Sequence, residues 1–158
     1  MAGHQHQARI HWARGTAAFV DNRYSRAHTW TFDGGLSVPA SSSPHVVRLP
    51  MSVEAAVDPE EALVAALASC HMLWFLSLAA GRGLCVEDYS DAAGGVMGHN
   101  AAGRVAMVRV TLHPRARFSG SNLPPRETVV QLHAQAHEEC FIANSVTTEV
   151  RCEPVFDV

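Results

Sequence analysis

The sequence predicts a single globular domain that mixes short strands with two helices. Three observations predict it. An apolar run from Leu63 to Ala80 is bounded on both sides by residues that start and stop helices. Alternating segments rich in Val, Thr and aromatic residues flank it. A second helical stretch opens at Pro124-Pro125 and leaves room for one closing strand. A chain of 158 residues, 47% hydrophobic and 17% charged, has the size and make-up to bury a real core.

Ala8–Trp12, Thr16–Val20 and His28–Phe32 are the first strand candidates. Asp21-Asn22 is a turn signal, and Asp33-Gly34-Gly35 suits a hairpin. The stretch Pro39-Ala-Ser-Ser-Ser-Pro44 reads as a short loop, because too little chain precedes it to form a domain. Asp58-Pro59-Glu60-Glu61 then announces the main helix. Asp58 suits the N-cap, Pro59 the first helical position, and Glu61 the acid of a capping box. Gly81-Arg82-Gly83 ends it.

Beyond the helix, Leu84–Met97 and Arg104–Leu112 read as strands, with Gly94-Gly95 and Gly98–Gly103 as breaks. Phe118–Leu123 reads as loop. The second helix carries Val129, Leu132, Ala136 and Cys140 close to one stripe. Ser145–Cys152 alternates again as a last strand. No internal repeat or low-complexity segment occurs.

Leu63–Ala80 is long enough to raise the question of a membrane span. It carries Ser69, His71 and Ser77, is dominated by alanine and has no companion span, so it is read as a core helix. A helix apolar on every side calls for cover, in part from a partner subunit. The net charge of -3 offers no footprint for nucleic acid. The polar start Met-Ala-Gly-His-Gln-His-Gln lacks an export-type apolar core, and four cysteines are too few for a disulfide scaffold. The expected compartment is the reducing cytoplasm, where paired cysteines more often serve chemistry than structure.

Cys70 lies on the helical face formed by Leu63, Leu67, Trp74 and Leu78. The bland reading is a small core residue. Apolar surroundings oppose a thiolate, so a reactive Cys70 needs a nearby cation. Cys140 falls where the second helix runs out. The partial negative charge of a helix C-terminus makes it a poor attacker but leaves it suited to resolving an oxidised partner. Glu60 and Glu61 have an ordinary role as acids at a helix N-terminus. Glu60 precedes Cys70 by ten residues, a rise of about 15 Å along a straight helix. Its help would require a bend, an intermediary arginine or another copy of the helix in a dimer. Arg23 and Arg26, in a turn entering a strand, are the two candidate cations. Cys85 and Cys152 fall in strands and read as packing residues.

Ten histidines raise a metal alternative. His133, His137 and Cys140 form H-x-x-x-H-x-x-C on one helical side, and Cys70 or His71 could complete a tetrahedral zinc set. The glycine pairs lack the strand–loop–helix context of a phosphate site.

Two segments also carry a family resemblance. Asp58-Pro-Glu-Glu61, leading along an alanine-rich helix to Ala68-Ser-Cys-His71, resembles the first signature of the OsmC/Ohr family. Ala136-His-Glu-Glu-Cys-Phe-Ile-Ala-Asn-Ser145 resembles the second. The resemblance spans residues 8 to 154 of one domain covering 1–158. It implies an α+β fold and an intertwined homodimer, with long central helices packed between β-sheets and active sites at the subunit interface. It implies thiol-dependent reduction of organic hydroperoxides. Cys70 corresponds to the peroxidatic cysteine and Cys140 to the resolving one, and the two close a disulfide. Glu60 corresponds to a glutamate that pairs with an arginine over the thiol, for which Arg26 is chosen. His71 and the segment Tyr24–His28 depart from the better-studied branches. The implied cycle uses an external dithiol reductant and no cofactor, metal, nucleic acid or membrane. A zinc protein built on His133, His137 and Cys140, or a non-enzymatic dimer that binds an apolar ligand, are the alternatives.

Overall fold

The computed structural model describes residues 3–156. It has an α+β architecture in the order β1 (Ala8–His11), β2 (His28–Phe32), β3 (Ser37–Ala40), α1 (Pro59–Gly81), β4 (Cys85–Asp91), β5 (Gly94–His99), β6 (Val105–Leu112), β7 (Pro114–Ser119), α2 (Arg126–Glu139) and β8 (Glu149–Cys152). A short 3₁₀ turn, Ala143–Ser145, precedes β8. The chain forms two compact units, up to Ala62 and from Leu63 onward, with the division inside α1.

The first unit is an antiparallel meander, β1-β2-β3. The Asp33–Gly35 turn joins β2 to β3 and sets Thr31 opposite Ser37. Gly35 adopts φ 88°, a conformation that side chains disfavour. Thr16–Val20 is not a strand as expected but a series of turns and bends. Gly15 and Asn22 bracket it with positive φ, which breaks an extended path. Its aromatic residue is used differently. Phe19 stacks on Tyr24 at 4.6 Å, and Trp12 packs against both.

The expected capping box is present at the start of α1. The Asp58 carboxylate accepts a 2.7 Å hydrogen bond from the Glu61 backbone N–H, and the Glu61 carboxylate accepts one from the Asp58 N–H. The far end closes with a Schellman motif. Gly83, at φ 68°, donates to the Ala80 carbonyl, and Leu84 donates to the Ala79 carbonyl.

In the second unit, α1 buries a single stripe, Leu67, His71, Phe75 and Ala79. Leu63, Cys70, Trp74 and Leu78 flank that stripe half-buried, so the innermost line lies one position away from the one expected. The helix serves two clusters. Leu67 packs with Val110 and Leu112 of β6. Phe75 and Ala79 pack with Val129, Leu132 and Ala136 of α2 and with Tyr89 and Phe118. Each large side chain fully buried in this way contributes about 1.5–3 kcal/mol.

Leu84–Met97 is two strands rather than one. The break falls at Ala92-Ala93, and Gly94-Gly95 belong to β5. Gly95 is needed there because a Cβ would meet Met107 Sδ at 2.5 Å and Val64 Cγ2 at 2.9 Å. β7, unassigned from sequence apart from its last two residues, which fell in the expected loop, pairs antiparallel with β4. β5-β6-β8 form the other sheet, in which β6 and β8 run parallel. The last strand is shorter than expected, because residues 145–148 form the turn and approach that bring Thr148 onto the Met107 carbonyl.

Asp58→Ala is expected to lower unfolding stability by about 1 kcal/mol, since a buried cap then leaves a helical N–H unpaired. Urea unfolding of the variant and of Glu61→Ala, expected to cost less, checks this.

Candidate functional site

Cys70 lies midway along α1 and is half-buried, whereas Cys140 is sealed at 1% exposure. Cys140 follows α2 directly, and its backbone N–H returns to the His137 carbonyl. The local sequence fixes this corner. Asn144 donates its side-chain amide to the Glu138 carbonyl at 2.8 Å, and Ser145 donates its hydroxyl to the Phe141 carbonyl at 2.7 Å. Phe141 meets Trp74, one turn beyond Cys70, edge to face with centroids 5.4 Å apart. Ile142, Ala143 and Val146 pack with the Leu67 cluster. These contacts turn the segment after α2 back onto α1.

The two cysteines meet as a result. Burial is the main cause that pushes the Cys140 thiol above its ordinary range. The Ala143 backbone N–H, 3.4 Å from its sulfur, works against that. Hydrogen bonding and charge interaction with Cys70 add to the rise. Cys140 therefore stands both at the end of one helix and at the start of the next turn, whose N–H groups face its sulfur. Both cysteines are free thiols. The pair is a dithiol with the accessible member, Cys70, outermost.

The charged residues form a separate grouping in the first unit. Arg26 and Glu60 line one pocket of about 450 Å³ with Trp12, Phe19, Tyr24 and His28. Arg26 does not pair with Glu60 directly. Its guanidinium donates to the Asn22 side chain at 2.6 Å and to the Asn22 and Tyr24 carbonyls, and it lies 3.8 Å over the Tyr24 ring. Glu60 keeps one buried carboxylate oxygen without a hydrogen-bond partner. Arg23 is exposed and lies outside this pocket, which favours Arg26 of the two.

The H-x-x-x-H-x-x-C spacing does not gather its three side chains. Among the described residues the donor atoms that converge are those of His71, His133 and Cys152, all within 4.8 Å of one another. Helical spacing alone misled here: His133 turns inward to stack on Phe75 at 4.2 Å, whereas Cys140 faces Cys70. Cys152 packs against the Leu67 cluster as expected, with its sulfur 3.6 Å from His71 Nε2. Cys85 is exposed and donates to Glu87. His71 and His133 were legible as candidate metal ligands, but their meeting across 62 residues was not.

The OsmC-like protein model matches residues 52–154. The chain belongs to the OsmC-like family. An OsmC-like protein of unknown function from Vibrio cholerae is 53% identical, with a TM-score of 0.95 over 97% of this chain and all of the other. An organic hydroperoxide resistance protein from Elizabethkingia anophelis is 15% identical, with a TM-score of 0.74 over 99% of this chain and all of that one. The organic hydroperoxide resistance protein OhrB of Bacillus subtilis is 17% identical, with a TM-score of 0.66 over 96% and 98% of the two chains. Comparison with curated proteins gives no match. The OsmC-like fold expected from the two signatures is therefore the fold of this chain.

Burial holds the buried imidazoles of this OsmC-like protein neutral. It lowers His71 to about 4, with His137 adding to the effect, and lowers His133 to about 3, with His71 adding. Unfolding restores both to an ordinary value near 6.5. The unfolded chain then binds more protons than the native one at any pH between those limits. Stability from this source is complete above about pH 6.5 and is lost as pH falls through the folded values. Asp91, raised by burial, acts in the opposite sense. Chelator-treated protein is expected to take up protons on unfolding at pH 5, and His133→Phe is expected to reduce that uptake. Urea melts across pH 4.5–7.5 check the slope.

Proposed function

We propose that this chain is a thiol-dependent peroxidase that reduces organic hydroperoxides. The observation that carries the reading is the meeting of half-buried Cys70 with sealed Cys140. Family membership supports it, as do the fold neighbours named as organic hydroperoxide resistance proteins. The Cys70 thiolate attacks the distal oxygen of R–O–OH. The O–O bond breaks, the alcohol leaves with a proton, and Cys70 becomes a sulfenic acid. Cys140 condenses with it, forming the disulfide and releasing water. An external dithiol reduces the disulfide by exchange and is itself oxidised. This cycle uses no flavin, haem or nicotinamide, and it needs the reducing conditions of a cytoplasm.

Arg26 and Glu60 take the electrostatic role in this reading. A guanidinium supports a thiolate without titrating, and a carboxylate can hold it in place. The aromatic wall of Trp12, Phe19 and Tyr24 in the same pocket suits the alkyl part of an organic peroxide. Glu60 and Cys70 of one straight helix stand about 15 Å apart. The reading therefore assigns the pocket of one protomer to the thiols of its partner. A homodimer also covers α1. The helix is long and apolar enough to cross a membrane by length and composition, yet only 22% of its most apolar window is buried within the chain. Leu73, 60% exposed, marks the face left open.

Cys70→Ser is expected to abolish hydroperoxide consumption. Cys140→Ser is expected to spare the first turnover and block recycling. Rapid-mixing kinetics on the two variants separate these outcomes, and equal loss of the first turnover would refute the asymmetry. Peptide mapping after one equivalent of an organic hydroperoxide should find Cys70 bridged to Cys140. A bridge through Cys85 or Cys152 would overturn the assignment.

Sedimentation at low micromolar concentration is expected to show a dimer. A folded monomer there would count against the shared site.

A further inference from the structure

We propose a transition-metal site, distinct from the peroxidase dithiol, formed by His71 of α1, His133 of α2 and Cys152 of β8. The class of ion is borderline-soft, with Zn²⁺ as the best fit. His71 Nε2 lies 3.0 Å from His133 Nδ1, and Cys152 Sγ lies 3.6 Å from His71 Nε2. A tetrahedral zinc ion with bonds of about 2.0–2.1 Å to nitrogen and 2.3 Å to sulfur separates its donors by roughly 3.3–3.7 Å. The two separations from His71 lie within a few tenths of an ångström of that spacing, and Cys152 and His133 stand within 4.8 Å of each other. Two imidazoles and a thiolate select zinc or copper over magnesium and calcium, which take oxygen ligands.

The surroundings fit a cation better than a self-contained hydrogen bond. His71 is 1% and His133 2% exposed. The pair shares one proton across the 3.0 Å contact. Whatever the tautomer, His71 Nδ1 and His133 Nε2 are left buried without a partner, one as a donor and one as an acceptor. Such orphans cost free energy that a packed core avoids. Tyr89 Oη and Asp91 Oδ2 are also buried without partners, and charge interactions tie both to Cys152. Both oxygens are tied to the Cys152 end of the cluster and are free to accept from a water in the fourth position. Burial keeps both imidazoles neutral and their lone pairs free. It also holds the Cys152 thiol protonated, up at about 12, until a cation displaces the proton. Binding is therefore Zn²⁺ plus Cys152–SH giving the zinc thiolate and one released proton, with no change of oxidation state. The site would pin α1, α2 and β8 together, one residue from Cys70.

The test uses a Cys70→Ser/Cys85→Ser/Cys140→Ser chain, in which Cys152 is the only thiol. This chain lacks the proposed peroxidase dithiol, so the result is independent of that reading. Co²⁺ titration of the chelator-treated protein is expected to give one equivalent with a sulfur-to-cobalt charge-transfer band and one proton released. Adding Cys152→Ser should remove the band, and His133→Asn should weaken binding by roughly 100-fold or more. Absence of the band, or a band unchanged by both His71→Asn and His133→Asn, would overturn the site. X-ray absorption on the zinc-loaded wild-type chain provides a second readout. One sulfur with two imidazoles supports the site. Two sulfurs place the ion on Cys70 and Cys140 and refute it.

Discussion

A 23-residue helix that is apolar on every side must be covered, and the placement of the chemistry follows from how α1 meets that demand. Successive residues of a helix point about 100° apart. Cys70 and His71 are neighbours in sequence, yet they serve different clusters. Cys70 faces the corner after α2, and His71 enters the space shared with α2 and β8. One helix thereby holds a redox-capable thiol and a buried imidazole cluster apart while keeping them adjacent. The capping box and the Schellman turn fix where the helix begins and ends, and so which residue lands on which face.

The two thiols differ through their settings rather than their chemistry. Cys140 is removed from solvent, and burial first, with Cys70 adding to it, raises its thiol against the pull of two N–H groups. Cys70 retains partial access. In the proposed cycle access rather than nucleophilicity orders the two thiols, because only Cys70 is open to a peroxide. The neighbouring Asn144 and Ser145 hold the corner through backbone acceptors, so the second signature is largely a device for holding a turn.

Much of this was legible in the sequence where the signal is local. Asp58, Glu61 and Gly83 carry their cap chemistry in their side chains or their lack of one, and the helix ends followed. The strip Val129, Leu132, Ala136 and Cys140 is buried as its spacing requires. Errors arose where tertiary packing overrides a local cue. Gly94-Gly95 looks like punctuation but is strand that lets α1 and Met107 approach closely. Pro114-Arg-Ala-Arg-Phe-Ser119 hides a strand, because its proline and arginines mask the alternation of Ala116 and Phe118 toward the core. Convergence of His71, His133 and Cys152 depends on three elements distant in sequence, which no spacing rule reads. The pocket that holds Arg26 and Glu60 likewise depends on the loop of Trp12, Phe19 and Tyr24.

The parallel pairing of β6 with β8 carries a consequence for biogenesis. Arg109 lies opposite Glu149, so the β5-β6-β8 sheet cannot close until β8, about 40 residues after β6, has left the ribosome. Cys140 and Cys152 also emerge late. During synthesis Cys70 and His71 are therefore present on a nascent α1 whose partners do not yet exist. The apolar helix is exposed over that interval, and Cys70 gains its neighbour Cys140 only after α2 has been made.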